Sequence, residues 1–173
     1  MVKVAIKNKI PHFIFASSSS VYGLKSEKNV TEDISLEPLT DYSKFKAECE
    51  KILRKYNSRN FTTTIIRPAT VCGYGKRQRL DVVVNILTTL AYYKNEISVF
   101  GGQQLRPNIH IEDMANSYVN IIEAQNDLVS DQIFNVGYDN MKVIEIANTI
   151  KNLMTKNIKL ITVPTDDNRS YHI

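Results

Sequence analysis

The chain has 173 residues, 43% of them hydrophobic and 23% charged, the length and composition of one ordinary globular domain. Its net charge of +4 is too mild for a typical nucleic-acid binder; the tightest basic cluster, Lys76-Arg77-Gln78-Arg79, suits a small anionic ligand such as a phosphate ester better. No apolar run approaches the ~20 residues of a membrane-spanning helix, Met1–Lys7 lacks the apolar stretch of a signal peptide, and Cys49 and Cys72 have neither metal nor redox spacing, so the expectation is a reduced cytoplasmic protein with no metal site and no membrane partner.

Residues 2–9 read as the end of a helix. His12–Ala16 is a short apolar run between Pro11 and the serines Ser17–Ser20, and fits a buried strand. Residues 24–41 are polar and contain proline, hence loop. From Tyr42 to Tyr56 apolar residues fall at 42, 45, 49, 52, 53 and 56, a helical spacing that predicts Phe45 toward the core. Phe61–Ile66 is rich in β-branched residues and ends at Arg67-Pro68, which marks a strand.

A second helix is predicted from about Asp81 to Tyr93, with Val82, Val83, Ile86, Leu87 and Leu90 on one face. Strands follow at Ile97–Phe100 and Asn108–Ile111, then a helix over about 112–124 and a strand at Gln132–Val136. Residues 142–154 form a helix with Val143, Ile146, Ala147, Ile150 and Leu153 on its buried face, and Lys159–Val163 is the last strand. This alternation predicts an α/β fold with mostly parallel pairing. The chain opens in the tail of a helix and ends soon after a strand, so the expectation is a piece of a larger domain.

Tyr42 and Lys46 stand at i and i+4, one helical turn apart on one face. A phenol is a poor base at neutral pH, and a neighbouring ammonium favours its phenolate. The plainer alternative is a packed tyrosine beside a solvated lysine. The serine cluster weighs against it, because it follows the His12–Ala16 strand at its C-terminal end, where open α/β sheets place ligands. A hydroxyl there can pass a proton to or from the tyrosine. The plainer alternative for the serines is a turn that satisfies its own backbone.

The run Phe15-Ala16-Ser17-Ser18-Ser19-Ser20-Val21-Tyr22-Gly23, then Glu37-Pro38, then Tyr42-Ser43-Lys44-Phe45-Lys46 with Glu50, resembles the extended short-chain dehydrogenase/reductase family, in its NAD-dependent nucleotide-sugar epimerase/dehydratase branch. The resemblance implies a partial Rossmann-like, doubly wound parallel sheet with a small C-terminal substrate-binding subdomain. Residues 1–75 would carry the catalytic part of the core, and 76–173 mainly the sugar-nucleotide region.

Carried over by position, the resemblance makes Tyr42 the general acid/base, Lys46 the residue that holds the nicotinamide ribose, and Ser18 the catalytic hydroxyl, with Ser17 or Ser19 in its place if the register slips by one. It implies cofactor contacts from Ser17, Tyr42, Lys46 and Pro68. It implies substrate contacts from Ser19, Thr70 (where the family often has Asn), Phe100, Arg106 and Arg169. The 4,6-dehydratases of the branch carry Asp-Glu after the catalytic hydroxyl. Ser19 and Ser20 stand there in this chain, which favours a 4-epimerase; the cofactor that the resemblance implies is NAD, with NADP as the alternative.

The expected partner is a nucleotide-diphosphate sugar. None of the six glycines forms the family's Gly-x-x-Gly-x-x-Gly turn, so a missing N-terminal half or a homodimer is expected to complete the molecule. A non-catalytic sugar-nucleotide-binding fragment and a nucleotide-sugar reductase or dehydratase are the alternatives.

Overall fold

The computed structural model describes residues 1–25, 27 and 29–165. In chain order it contains α1 (Val2–Lys7), β1 (His12–Ala16), a 3₁₀ turn (Ser19–Tyr22), α2 (Asp41–Arg54), β2 (Thr62–Pro68), β3 (Thr70–Cys72), α3 (Val83–Lys94), β4 (Glu96–Phe100), β5 (Leu105–His110), α4 (Ile111–Glu123), α5 (Asn126–Val129), β6 (Gln132–Val136), β7 (Asp139–Lys142), α6 (Val143–Leu153) and β8 (Lys159–Val163).

Strand β2 lies between β1 and β6, parallel to both, with Phe13 opposite Thr63 and Ile65 opposite Ile133. Thr62 to Arg67 are all buried, as befits a strand covered on both faces. A second sheet runs β3-β5-β7, and a third pairs β4 with β8. Four of these five pairings are parallel; β5 with β7 is antiparallel. The architecture is therefore α/β and mostly parallel, as expected. It is divided into three small sheets, and the strands β3 and β7 and the short helix α5 add to the predicted elements.

The core divides in the same way. Leu87, Ala91, Ile97, Val99, Ile146, Ala147, Ile150 and Ile158 pack α3 and α6 against β4 and β8. Ile66, Ala69, Ile109, Met114 and Ile121 pack α4 against the ends of β2 and β5. A third cluster, Val21, Tyr22, Val30 and Ala47, seats the 3₁₀ turn and its loop on α2.

Helix α2 corrects one expectation. It starts at a reciprocal cap, with Ser43 N–H donating to Thr40 Oγ1 at 3.2 Å and Thr40 N–H donating to Ser43 Oγ at 3.1 Å. Its buried face carries Ser43, Ala47, Glu50 and Leu53, while Phe45 is 69% exposed with Tyr42 and Ile52 beside it on the outside. The inward phase is set by a buried carboxylate and small residues, so the apolar stripe faces away from this chain's core. Leu153, placed on the buried face of α6 by its spacing, is likewise exposed, because the helix ends there. Strand β1 occupies one edge of its sheet, and Val4, Ile6 and Ile10 are exposed nearby in sequence.

Candidate functional site

Beyond the C-terminal ends of β1 and β2 opens a cleft of about 920 Å³. Its lining includes the serine wall, Ser17–Ser20 with Tyr42, Pro68 and Thr70, and also Ile86 and Leu90 of α3, Phe100 at the end of β4, and Arg106. This is where an open, parallel α/β sheet leaves room for a ligand.

Tyr42 lies in the first turn of α2 and is 59% exposed. One turn on, Lys46 Nζ sits 5.6 Å from the centre of the Tyr42 ring and 5.0 Å from that of Phe15, within cation–π range. It donates to the Ala16 carbonyl at 2.6 Å, which anchors the helix to the last residue of β1. The ring is thus neither packed away nor distant from the ammonium, and it shares the cleft with all four serines.

The serines have distinct surroundings. Ser17 is buried; its N–H donates to Ile66 O at 2.7 Å, extending the β1–β2 ladder, and its hydroxyl donates to Glu50. Ser18 is half-buried and extended at φ −163°, ψ 143°; its Oγ accepts from the Ser20 N–H at 3.2 Å and lies 2.9 Å from Ser20 Oγ. Ser19 is buried. Gly23 closes the turn at φ +74°, where a Cβ would run into the Glu37 carbonyl oxygen, so glycine is needed there.

Behind this wall lies a buried ion pair. Glu50 and Arg67 side chains are each 3% exposed and meet at 2.7 Å, with further contacts from Arg67 Nε at 3.1 and 3.3 Å. Arg67 Nη1 also donates to Tyr22 OH at 2.7 Å and to Glu32 O at 3.0 Å, and Tyr22 OH donates to Asn135 at 2.7 Å. Burial acts to lower the Arg67 pKa, but the hydrogen bond and charge of Glu50 outweigh it, so the guanidinium is held above its ordinary value. Burial pushes the Tyr22 phenol up, against the opposing pull of Arg67. Sequence reasoning assigned these residues no role. The available signal was phase: Glu50 repeats with Ser43, Ala47 and Leu53 on one side of α2.

Other expected site residues also reach the cleft. Thr70 stands on β3 and Pro68 ends β2. Phe100 is 58% exposed. Arg106 Nη1 donates to Leu105 O at 2.9 Å. Arg169 lies outside the described residues. Of the 73–79 loop, Arg79 lines the cleft mouth, where it forms two hydrogen bonds to Asp81 at 3.0 and 2.7 Å, whereas Tyr74 is 82% exposed. Among the described residues no group of three or more His, Cys, Asp or Glu is placed to hold a metal ion, and no helix is long and apolar enough to cross a membrane.

The chain is 30% identical over 155 residues to the uncharacterized UDP-glucose epimerase YtcB of Bacillus subtilis, covering 88% of this chain and 48% of that protein. It is 22% identical over 161 residues to a UDP-glucose 4-epimerase of Lactobacillus helveticus, covering 82% and 49%. This chain thus spans about half the length of these relatives. Among solved structures, a Bacillus cereus UDP-glucuronic acid 4-epimerase in complex with UDP-glucuronic acid and NAD superposes with a TM-score of 0.78 at 26% identity, over 92% of this chain and 50% of that one. A UDP-N-acetylglucosamine 4-epimerase from Methanobrevibacter ruminantium gives 0.86 at 22% identity, over 99% and 56%, a likeness of fold. The model of the NAD dependent epimerase/dehydratase family matches residues 1–137, a span that contains the serine turn, the Tyr42–Lys46 pair and most of the cleft. With the parallel sheet and the cleft at its strand ends, this establishes that the chain belongs to the NAD dependent epimerase/dehydratase family.

Proposed function

We propose that the chain supplies the proton-transfer machinery and much of the sugar-nucleotide pocket of an NAD(P)-dependent nucleotide-diphosphate-sugar epimerase that works through a transient 4-keto sugar. The observation that carries this reading is Tyr42, exposed in the cleft with the Lys46 ammonium 5.6 Å from its ring.

The residues present suit the nicotinamide-ribose end of the cofactor. An ammonium has three donors, and Ala16 O uses one of those on Lys46, leaving two for ribose hydroxyls. Ser17 keeps lone pairs while it donates to Glu50, and Pro68 borders the same space. NAD held there would supply the hydride acceptor and donor for the sugar C4. Tyr42, assisted by Ser18, takes the proton of the 4-hydroxyl and restores it once the keto sugar has turned over. Such a step needs a base within hydrogen-bond reach and contributes about 10²–10⁴-fold in rate. Thr70, Phe100, Arg106, Ser19 and Arg169 hold the nucleotide sugar, with the arginines on the diphosphate. In this reading residues 1–75 form the catalytic part and 76–173 mainly the sugar-nucleotide part.

The two other readings fare differently. Ser19 and Ser20 place no carboxylate after Ser18, which disfavours the dehydratase alternative. A second reading is a sugar-nucleotide-binding fragment, with the Gly-x-x-Gly-x-x-Gly turn that these 173 residues lack held by a partner segment outside them. The exposed Val4, Ile6, Ile10, Phe45 and Ile52 suit coverage by such a partner or by a second copy, and light scattering should show self-association of the isolated chain. Calorimetry with NAD and with UDP-glucose separates the readings. Binding of both, with turnover that Tyr42→Phe lowers at least a hundredfold, supports the epimerase; UDP-glucose binding without NAD binding supports the fragment. Full activity in Tyr42→Phe rejects the acid/base assignment.

A further inference from the structure

Two consecutive residues at the end of β1 are gripped by two consecutive turns of α2. Lys46 takes the Ala16 carbonyl at 2.6 Å; Glu50, one turn further along, takes the Ser17 hydroxyl. The backbone of Ser17 is meanwhile tied to β2 through Ile66 O at 2.7 Å, and Glu50 is tied to β2 through Arg67 at 2.7 Å. The same guanidinium reaches Tyr22 OH at 2.7 Å, at the far end of the 3₁₀ turn. Both ends of the turn that carries Ser18 are therefore attached to a single ion pair. Neither charge lines the cleft.

We propose that Glu50 and Arg67 act as a positioning clamp, which sets the serine turn against the helix bearing Tyr42 and Lys46 and so fixes where Ser18 stands in the cleft. The inference rests on the reading of Tyr42 and Ser18 given above, but its structural core can be tested without it. Burial of an ion pair is weak evidence of net stabilisation. A buried polar network with its groups satisfied does restrict its surroundings to one arrangement. Here every polar side-chain atom of Glu50 and Arg67 has a partner.

The test uses Ser17→Ala, which detaches the turn from Glu50 and leaves the ion pair in place, with Ser17→Thr as the conservative control that keeps the hydroxyl. Hydrogen exchange is followed at the Ser20, Val21 and Gly23 amides, which bond to Ser18 and Ser20. The clamp predicts exchange at least tenfold faster at these amides in Ser17→Ala, rescue in Ser17→Thr, and no change at β4 and β8. Exchange in Ser17→Ala that is unchanged, or faster by the same factor throughout the chain, overturns it. In an assay of UDP-glucose epimerisation with NAD, Ser17→Ala should lower kcat and leave KM near its original value. Tyr42→Phe separates the two proposals, because it should abolish turnover while leaving the exchange pattern intact. Full turnover in Tyr42→Phe beside a confirmed exchange pattern removes the acid/base reading and keeps the clamp.

Discussion

Two regions around the cleft use an arginine–carboxylate pair in opposite settings. Behind the serine wall, Arg67 and Glu50 are each 3% exposed. At the cleft mouth, Arg79 and Asp81 make a pair of equal length, 2.7 Å, with side chains 72% and 68% exposed. Attraction between desolvated charges is strong, and either charge left alone is costly to bury. In water the same contact is screened and contributes little. The buried pair thus leaves the serine wall fixed, while the pair at the mouth stays solvated.

Breaking the comparison starts with the fixed wall. Arg67→Ala or Glu50→Ala strands a buried charge and should destabilise the chain by about 3–5 kcal/mol, read as a fall in denaturation midpoint. Gly23→Ala should follow, because the Cβ meets the Glu37 backbone at φ +74°; a strained position of this kind costs about 1–3 kcal/mol. A thermal melt indistinguishable from wild type in either case would remove the rigidity of this wall.

Tyr22 offers a pH signature. Burial raises its phenol pKa in the folded state, so the folded form holds the proton where the unfolded form has released it. The resulting stability is complete below about pH 10, the ordinary phenol value, and is lost as pH rises from there through the folded-state value. Tyr22→Phe should flatten that alkaline limb; an unchanged limb would place its origin elsewhere.

The weaker effects belong to exposed pairs. Arg54 holds the Asp131 carboxyl below its ordinary value through a two-point contact at 2.9 Å. Its contribution is present above about pH 4 and fades as acid protonates the carboxylate. Asp131→Asn should therefore lose less than ~1 kcal/mol at neutral pH. Asp81→Asn, at the cleft mouth, should leave the melting temperature unchanged, and a clear drop would mean that this exposed pair contributes like the buried one.

Much of this was legible in the sequence, where periodicity and punctuation agree. Pro11 and the serines bracket β1, and Gln132–Val136 and Lys159–Val163 are strands with the bounds read from the residues. Strands β3 and β7, of three and four residues, are too short to show alternation, and β7 gains its form by pairing antiparallel with β5. The outward stripe of α2 misled for a different reason. Spacing shows that a face is apolar, not what it meets, and Phe45 points away from this chain's core. The gathering of Ser17–Ser20, Tyr42, Pro68, Thr70, Phe100 and Arg106 around one cleft followed the family pattern. The Glu50–Arg67 pair behind it is not legible in this way, because a Glu and an Arg seventeen positions apart meet only once β2 and α2 have packed.

The most direct test of the central claim is the rate at which the wild-type chain and Tyr42→Phe interconvert UDP-glucose and UDP-galactose with NAD present. Where the wild-type protein turns over, proton transfer by Tyr42 predicts a loss of at least a hundredfold on removing one oxygen atom. Equal rates in the two proteins would contradict it.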